Sequence, residues 1–251
     1  MKKVFMVAAV AACLGASLTA GEALSRRSPE VKADAHALLV QADSFRGGFE
    51  SAVIRVKLTN YEAERLSEEA DFEVSAKGEN SLVRFLSVRS KGQSLLMRGD
   101  DMWFFLPAVA RPVRITPIQR LLGNVSNGDL ARLRYAMDYD ATIEGPADVD
   151  GVAATVLDLR AKRKGATYQR VRYVIRKSDA RPLRAEYFLT SGRPMKTATF
   201  GEVREFAGRQ TLTRIDIRDG LRDTSRTIIE ILSIVPRELP DKVFSPTRSG
   251  G

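Results

Sequence analysis

Apolar and polar residues alternate in short runs along most of this chain. Ala52, Ile54, Val56 and Leu58 interleave with Val53, Arg55 and Lys57. A period of two places one apolar and one mostly polar face on a strand. Phe72, Val74 and Ala76 repeat the pattern, Leu82 to Val88 makes a third run, and Leu95-Leu96-Met97 starts a fourth. After residue 140 it resumes in Ala141 to Glu144 and Val152 to Leu159. Tyr168 to Ile175 sets Val171, Tyr173 and Ile175 against Arg170, Arg172 and Arg176. Leu183 to Leu189, Lys196 to Phe206, Thr211 to Ile217 and Ile228 to Val235 follow. Turns are expected at Gly145-Pro146, at Asp148-Val149-Asp150-Gly151 and at Ser191-Gly192. Short strands joined by brief turns predict an antiparallel meander, about ten or eleven strands in one curved sheet. The fold class is mainly β (α+β).

Two stretches change period. Ser28-Pro29-Glu30 has the form of a helix start, and Val31, Ala35, Leu38, Leu39, Ala42 and Phe45 follow at helical spacing up to Arg46-Gly47-Gly48. From Thr116 to Met137 the alternation lapses. Pro117 to Gly123 predicts a short helical turn, and Ser126 or Asn127 caps a second helix carrying Leu130, Leu133, Tyr135 and Met137. A helical insertion in a meander is a candidate lid. A curved sheet with one apolar face, a helix before it and this insertion within it would enclose an apolar space. If the helices leave that space partly vacant, an acyl chain can occupy it.

The segment Gly99 to Pro107 holds the only Trp and two adjacent Phe, followed by Arg111-Pro112-Val113-Arg114-Ile115. On a strand, Met102, Phe104 and Leu106 share one face while Trp103 and Phe105 share the other. Both faces are apolar, so one serves a core and the other needs a second partner: a covering element or a greasy ligand. On pattern alone, ordinary core is the simpler reading. As a ligand site, the expected lining is Trp103 and Phe105 with Ile118, Leu121 and Leu122 of the insertion. Met102, Phe104 and Leu106 are the alternative, because alternation does not say which face points inward. Arg111 and Arg114 fall at the expected mouth, to meet an acidic headgroup or a partner. Exposed strand-end charges are the competing reading.

The chain has 251 residues, 44% hydrophobic and 28% charged, as expected for a protein with a real core. Lys2 and Lys3 precede an apolar, Ala-rich run from Val4 to Ala20, so residues 1–23 read as a secretory signal peptide cleaved near Ala20 to Ala23. The run is short for a membrane span. Val10-Ala11-Ala12-Cys13 has the form of a lipoprotein box, but apolar sequence continues past Cys13, so a lipid anchor there is not expected. Losing Lys2, Lys3 and Glu22 takes the chain from 40 basic and 31 acidic residues to 38 and 30, a net +8. No Cys then remains, so the fold must stand without disulfides. Export argues against a nucleic-acid partner. The Arg residues are spread along strands and read as a solvated face, with acidic lipid headgroups as the second option. Residues 24–246 are expected to form one domain and residues 247–251 a disordered tail.

No catalytic or metal constellation stands out. The single His, His36, falls on the first helix as a partly exposed side chain. Asp100-Asp101, Glu68-Glu69 and Asp138 with Asp140 sit beside turns or in polar runs, and solvated acids are the simpler reading. Asp148 to Gly151 has part of a calcium-loop look but lacks the closing Glu. There is no phosphate loop and no nucleophile elbow. The chain reads as a non-enzymatic protein without a cofactor, a lipid hydrolase being the least favoured option.

Several segments together carry a resemblance. They are Gly99-Asp100, Met102-Trp103, Leu106-Pro107, Val113-Arg114-Ile115, Gly123, Asp129-Leu130, Asp150-Gly151-Val152, Tyr168, Pro182 to Phe188, Met195-Lys196-Thr197, Thr227, Glu230-Ile231 and Leu239 to Pro246. In this order and spacing the chain resembles the LolA-like outer-membrane lipoprotein-sorting protein family over nearly its whole mature length. The resemblance implies a fold similar to LolA, LolB and the amino-terminal domain of RseB: an incomplete antiparallel β-barrel wrapped around helices, with an apolar cavity. It implies a periplasmic carrier that shields acyl chains of lipoproteins or other lipids between inner and outer membranes. Such a carrier would touch membrane surfaces transiently and work beside an RND- or ABC-type exporter. An RseB-like sensor of envelope lipid is the second reading. The family's Gly-Ser-Asp-Phe segment is replaced here by Gly123 to Leu130, and Lys77-Gly78 stands near the place of its lid-latching Arg.

Overall fold

The computed structural model describes residues 29–132, 134–220 and 224–246. The leader read over residues 1–23, Cys13 within it, Leu133 and the tail 247–251 lie outside the described residues. Helix α1 (Pro29–Ser44) leads into β1 (Ser51–Glu62), β2 (Arg65–Lys77), β3 (Asn80–Phe85), β4 (Ser94–Arg98), β5 (Asp101–Phe105) and β6 (Val113–Ile115). The insertion holds β7 (Arg120–Leu122), β8 (Val125–Ser126), α2 (Asn127–Ala131) and α3 (Tyr135–Asp138). The second half runs through β9 (Tyr139–Val149), β10 (Val152–Ala161), β11 (Arg170–Arg176), β12 (Pro182–Phe188) and β13 (Pro194–Phe200). It continues with β14 (Val203–Phe206), β15 (Arg209–Leu212), β16 (Arg214–Asp219) and β17 (Ser225–Pro236).

Thirteen strands form one antiparallel sheet in the order β6-β5-β4-β3-β2-β1-β17-β16-β13-β12-β11-β10-β9. Its end strands, β6 and β9, do not pair with each other, so the curved sheet stays an incomplete barrel. The main sheet holds more strands than the alternation suggests. Side-chain period does not reveal where a strand changes hydrogen-bond partner. The apolar run from Lys196 to Phe206 divides into β13, in the main sheet, and β14, which pairs with β15 in a separate ribbon. Mostly polar Arg65 to Asp71 also extends β2, because β1 offers it a ladder from Glu62↔Arg65 to Lys57↔Asp71, interrupted by one register shift at Asn60/Tyr61.

Two expected turns behave differently from each other. Gly145-Pro146 is not a turn; β9 runs through it with a register shift opposite Val156/Leu157. As an edge strand, β9 tolerates the amide that Pro cannot donate. Asp150 (φ 52°) and Gly151 (φ 82°) form the two-residue β9–β10 turn, with the Gly151 N–H donating to Asp148 Oδ1 at 2.8 Å. The calcium-like fragment is thus used as a hairpin tip.

The insertion also corrects the expected secondary structure. Pro117 to Gly123 is not a helical turn. Residues 120–126 form the β7–β8 hairpin, turned at Gly123 with φ +53°. A Cβ there would run into Asn60 and Thr227. The second helix is split. Ser126 caps α2, its N–H donating to Asp129 at 2.7 Å, and Arg132 ends it in an extended conformation.

Helix α1 packs on the concave face of the sheet, against β9 and α3. Its Ala35, Leu39 and Ala42 are fully buried with Ile54, Val56, Leu58, Phe72 and Val74 of the first half and Leu157, Leu159, Val171 and Ile175 of the second. A smaller core lies on the other face. After β17 the chain crosses the outside of β3 to β5, where Leu239, Val243 and Phe244 pack on Leu82, Leu96, Trp103 and Phe105. Lys77 Nζ fastens this strap, donating to Leu239 O at 3.0 Å and Asp241 at 2.9 Å.

Candidate functional site

The strap decides the question that alternation leaves open. Trp103 and Phe105, expected inside, lie on the outer face beneath Val243 and Phe244. Met102 and Phe104 face the interior, where Phe104 stacks edge-on to Phe85 at 5.6 Å and Phe85 to Phe72 at 4.9 Å. Leu106 lies past the end of β5 and is half-buried. Leu122 is buried in the main core and Leu121 packs against it, whereas Ile118 is exposed. Arg111 and Arg114 are both exposed, and Arg114 pairs with Asp101 beside the Trp103 ring.

Three of these residues meet. Met102, Arg114 and Ile118 line a groove of about 340 Å³ whose far wall is Ala166, Phe188 and Leu189. A second groove, of about 270 Å³, shares Ile118 and Leu189 and runs on to Asn124, Met195 and Lys196. Together they run beside the insertion, from β5 and β6 past the end of β12 to the start of β13.

Beyond Lys196 the interior turns polar, which sequence reasoning missed. Lys196 is buried, with Nζ 2.5 Å from Asp129 Oδ2 and 2.8 Å from Asn124 O. Burial lowers the Lys196 pKa, and the Asp129 charge opposes this. Asp129 also accepts from Tyr168 Oη at 2.8 Å. It therefore joins α2, the β10–β11 connection and β13. Deeper in, Tyr135 and Tyr187 share a hydroxyl–hydroxyl hydrogen bond of 2.9 Å, and Tyr139 and Tyr173 stand edge-on to Tyr135. The buried Arg46 guanidinium lies 3.8 Å above the Tyr135 ring. Arg46 Nη1, Tyr173 Oη and Asp43 Oδ1 are buried without a hydrogen-bond partner. Asp43 Oδ2 accepts the Ala136 N–H at 2.7 Å, tying α1 to α3. Burial pushes the Asp43 carboxyl up to about 6, against the pull of Arg46 and the backbone donors of Ala136 and Tyr135.

Arg46 also borders the apolar hollow. That hollow is walled by Ile54, Val56, Val74, Leu212, Ile229 and Ile231, with Arg46 and Asp129 as its polar members. Its free volume is about 40 Å³. On this measure one water needs about 10–15 Å³, so the hollow has room for a few waters and an acyl chain does not fit without movement. The expected vacancy is absent in this conformation because Leu39 and Ala42 of α1 and Leu130 and Ala131 of α2 fill the concave face.

The insertion is pinned at a further point. Arg132 and Asp138, both buried, pair at 2.6 Å, and Arg132 Nη2 donates to Gly99 O at 2.9 Å. Arg163 joins from the β10–β11 connection, 2.6 Å from Asp100 and 3.2 Å from Glu79. Asp138 is therefore a buried ion-pair member rather than a solvated acid, and burial raises its pKa against Arg132. Arg46 and Arg132 are likewise exceptions to the reading of the Arg residues as a solvated face.

An open antiparallel sheet curled round helices, its hollow reached past a pinned insertion, defines a class of half-barrel protein. A LolA superfamily protein from Nitrosomonas europaea is 31% identical, matches over 84% of this chain and 97% of its own, and superposes with a TM-score of 0.80. The chain belongs to the LolA superfamily. Two further crystal structures share the fold. A DUF1329 family protein from Desulfovibrio piger is 23% identical with a TM-score of 0.72, over 86% of this chain and 97% of that one. A putative outer membrane lipoprotein-sorting protein domain from Vibrio parahaemolyticus is 16% identical with a TM-score of 0.72, over 85% and 97%. A family described as "Uncharacterized protein" matches residues 77–248. No curated protein matches the chain.

Proposed function

We propose that this protein is a periplasmic, non-enzymatic carrier of acyl chains, those of lipoproteins or other lipids, acting over residues 24–246 after loss of its leader. The observation that carries the reading is the apolar hollow on the concave face, closed by an insertion that a few polar contacts hold in place. Moving a chain out of water is favourable by roughly 0.8 kcal/mol per buried methylene, so a long chain can outweigh the contacts that must open. The closed state is then the empty carrier. Loading requires α2, α3 and the β7–β8 hairpin to swing from Lys196 and Asp43, and the grooves along Ile118 and Leu189 mark the entry side.

Transient contact with a membrane has support at one corner. Leu86 and Val88 in the β3–β4 connection and Val109 and Val113 around the β5–β6 connection are exposed, Val88 by 90%. Pro107 sits against Gly92, so the two connections lie side by side, with exposed Arg89, Lys91 and Arg111 among the aliphatic residues. Aliphatic residues with basic neighbours suit an anionic lipid surface. An RND- or ABC-type exporter is the proposed source of cargo. Native mass spectrometry of protein purified from the envelope tests the carrier reading. Co-purified lipid or acylated peptide is the expected result. A persistently empty protein that also fails to take up fluorescent fatty acid would overturn it.

A further inference from the structure

The most unusual group in the interior is Arg46. Among the described residues no carboxylate lies within 4.0 Å of its guanidinium, although it is buried and lines the apolar hollow. The guanidinium lies on the face of Tyr135, and Nη1 has no acceptor. Tyr173 Oη, close enough to feel the Arg46 charge, makes no hydrogen bond of normal geometry either. Native interiors satisfy nearly all such groups, so an unpaired cation and an unpaired hydroxyl together mark a place where something else binds. Charges nearby leave this cation available. Asp129, the other charged member of the hollow, is already engaged by Lys196 and Tyr168. Asp43 commits one oxygen to Ala136 and makes no close pair with Arg46.

Resting on the carrier reading, we propose that the cargo is an acyl chain ending in an anion, with its head on Arg46 Nη1 and Tyr173 Oη and its tail along Ile54, Val56, Ile229 and Ile231. The head is a fatty-acid carboxylate or the phosphate of a lysophospholipid. Both offer several acceptor atoms to a guanidinium and a hydroxyl, and both place the charge at one end of a single chain. An uncharged chain of the same length would leave the guanidinium unpaired inside.

Displacement of a fluorescent fatty acid by palmitate, hexadecanol and palmitoyl lysophosphatidate tests this, with the wild-type protein, Arg46→Met and Tyr173→Phe. Wild type should bind at least one of the two anions roughly tenfold more tightly than hexadecanol, the worth of one charge-assisted hydrogen bond. Which anion wins assigns carboxylate or phosphate. Arg46→Met should lose the preference and still bind hexadecanol, and Tyr173→Phe should weaken it. Met keeps the side-chain stem and removes an unpaired charge, so folding is expected to survive; circular dichroism checks it. Equal binding of anions and alcohol by wild type, or an intact preference in Arg46→Met, overturns the anion site and leaves the carrier reading standing. Binding of no ligand by any of the three proteins overturns both.

Discussion

Replacing Lys196 by Met removes the cation that holds the insertion to β13. Both partners are almost fully enclosed, with side-chain exposures of 3% for Lys196 and 7% for Asp129, and their contact is 2.5 Å. The variant strands Asp129 as a buried charge. Taking one partner from a buried pair typically costs about 3–5 kcal/mol, because the remaining charge stays desolvated. Asp129 keeps two donors, the Ser126 N–H and the Tyr168 hydroxyl, so the expected loss is at the low end, about 3 kcal/mol. Adding Asp129→Asn removes the stranded charge and leaves an acceptor for the Ser126 N–H. The double variant should then recover roughly 1–2 kcal/mol over Lys196→Met alone. Urea unfolding with linear extrapolation measures both, and an unchanged slope confirms that compactness is not altered. A Lys196→Met protein within about 0.5 kcal/mol of wild type refutes the reasoning, since surface changes alone give that much. A double variant weaker than the single one refutes it too.

Three further outcomes follow from the geometry. Asp43 is raised from 3.8 to about 6 in the folded protein, so between those values the folded state holds the extra proton. Its contribution to stability falls as pH rises through that window, by about 3 kcal/mol in all, and is level above it. Asp43→Asn should therefore be more stable than wild type at pH 7, with the difference closing toward pH 4; a difference independent of pH counts against this. Phe244→Ala should cost about 3 kcal/mol and shift the emission of Trp103, the only Trp, to the red, because Phe244 is 2% exposed on the outer face. Unchanged emission would mean that the strap does not cover Trp103. Val88→Asp should reduce co-sedimentation with anionic vesicles several-fold without changing thermal stability; undiminished binding would exclude that corner as the membrane contact.

The meander was legible because strands such as β1 and β11 carry one apolar face, and alternation is a local property. The sign of the β5 faces was not legible. Leu239, Val243 and Phe244 set it, and nothing near Trp103 announces a strap from the far end of the chain. Arg46 was legible in principle. It continues the buried stripe Ala35, Leu39, Ala42 by one helical step, yet a cation beside Gly47-Gly48 looks like an ordinary helix end. Tyr173 and Tyr187 fall on the apolar side of alternating runs, but alternation does not reveal that their hydroxyls lie near one guanidinium. The Arg132–Asp138 pair spans a break between two short helices, so no helical spacing links them.

The place of β17 has a consequence for how the protein comes to be. β17 is the seam between β1 and β16, joining the sheet's two halves in a register from Ala52↔Pro236 to Glu62↔Ser225. Until residues 225–236 pair, each half keeps an additional unpaired border, at β1 in one and at β16 in the other. Joining the halves depends on β17 meeting β1 across most of the described chain, the slow regime of non-local pairing. Hairpins on either side can form early, but the single concave face exists only once this seam has closed.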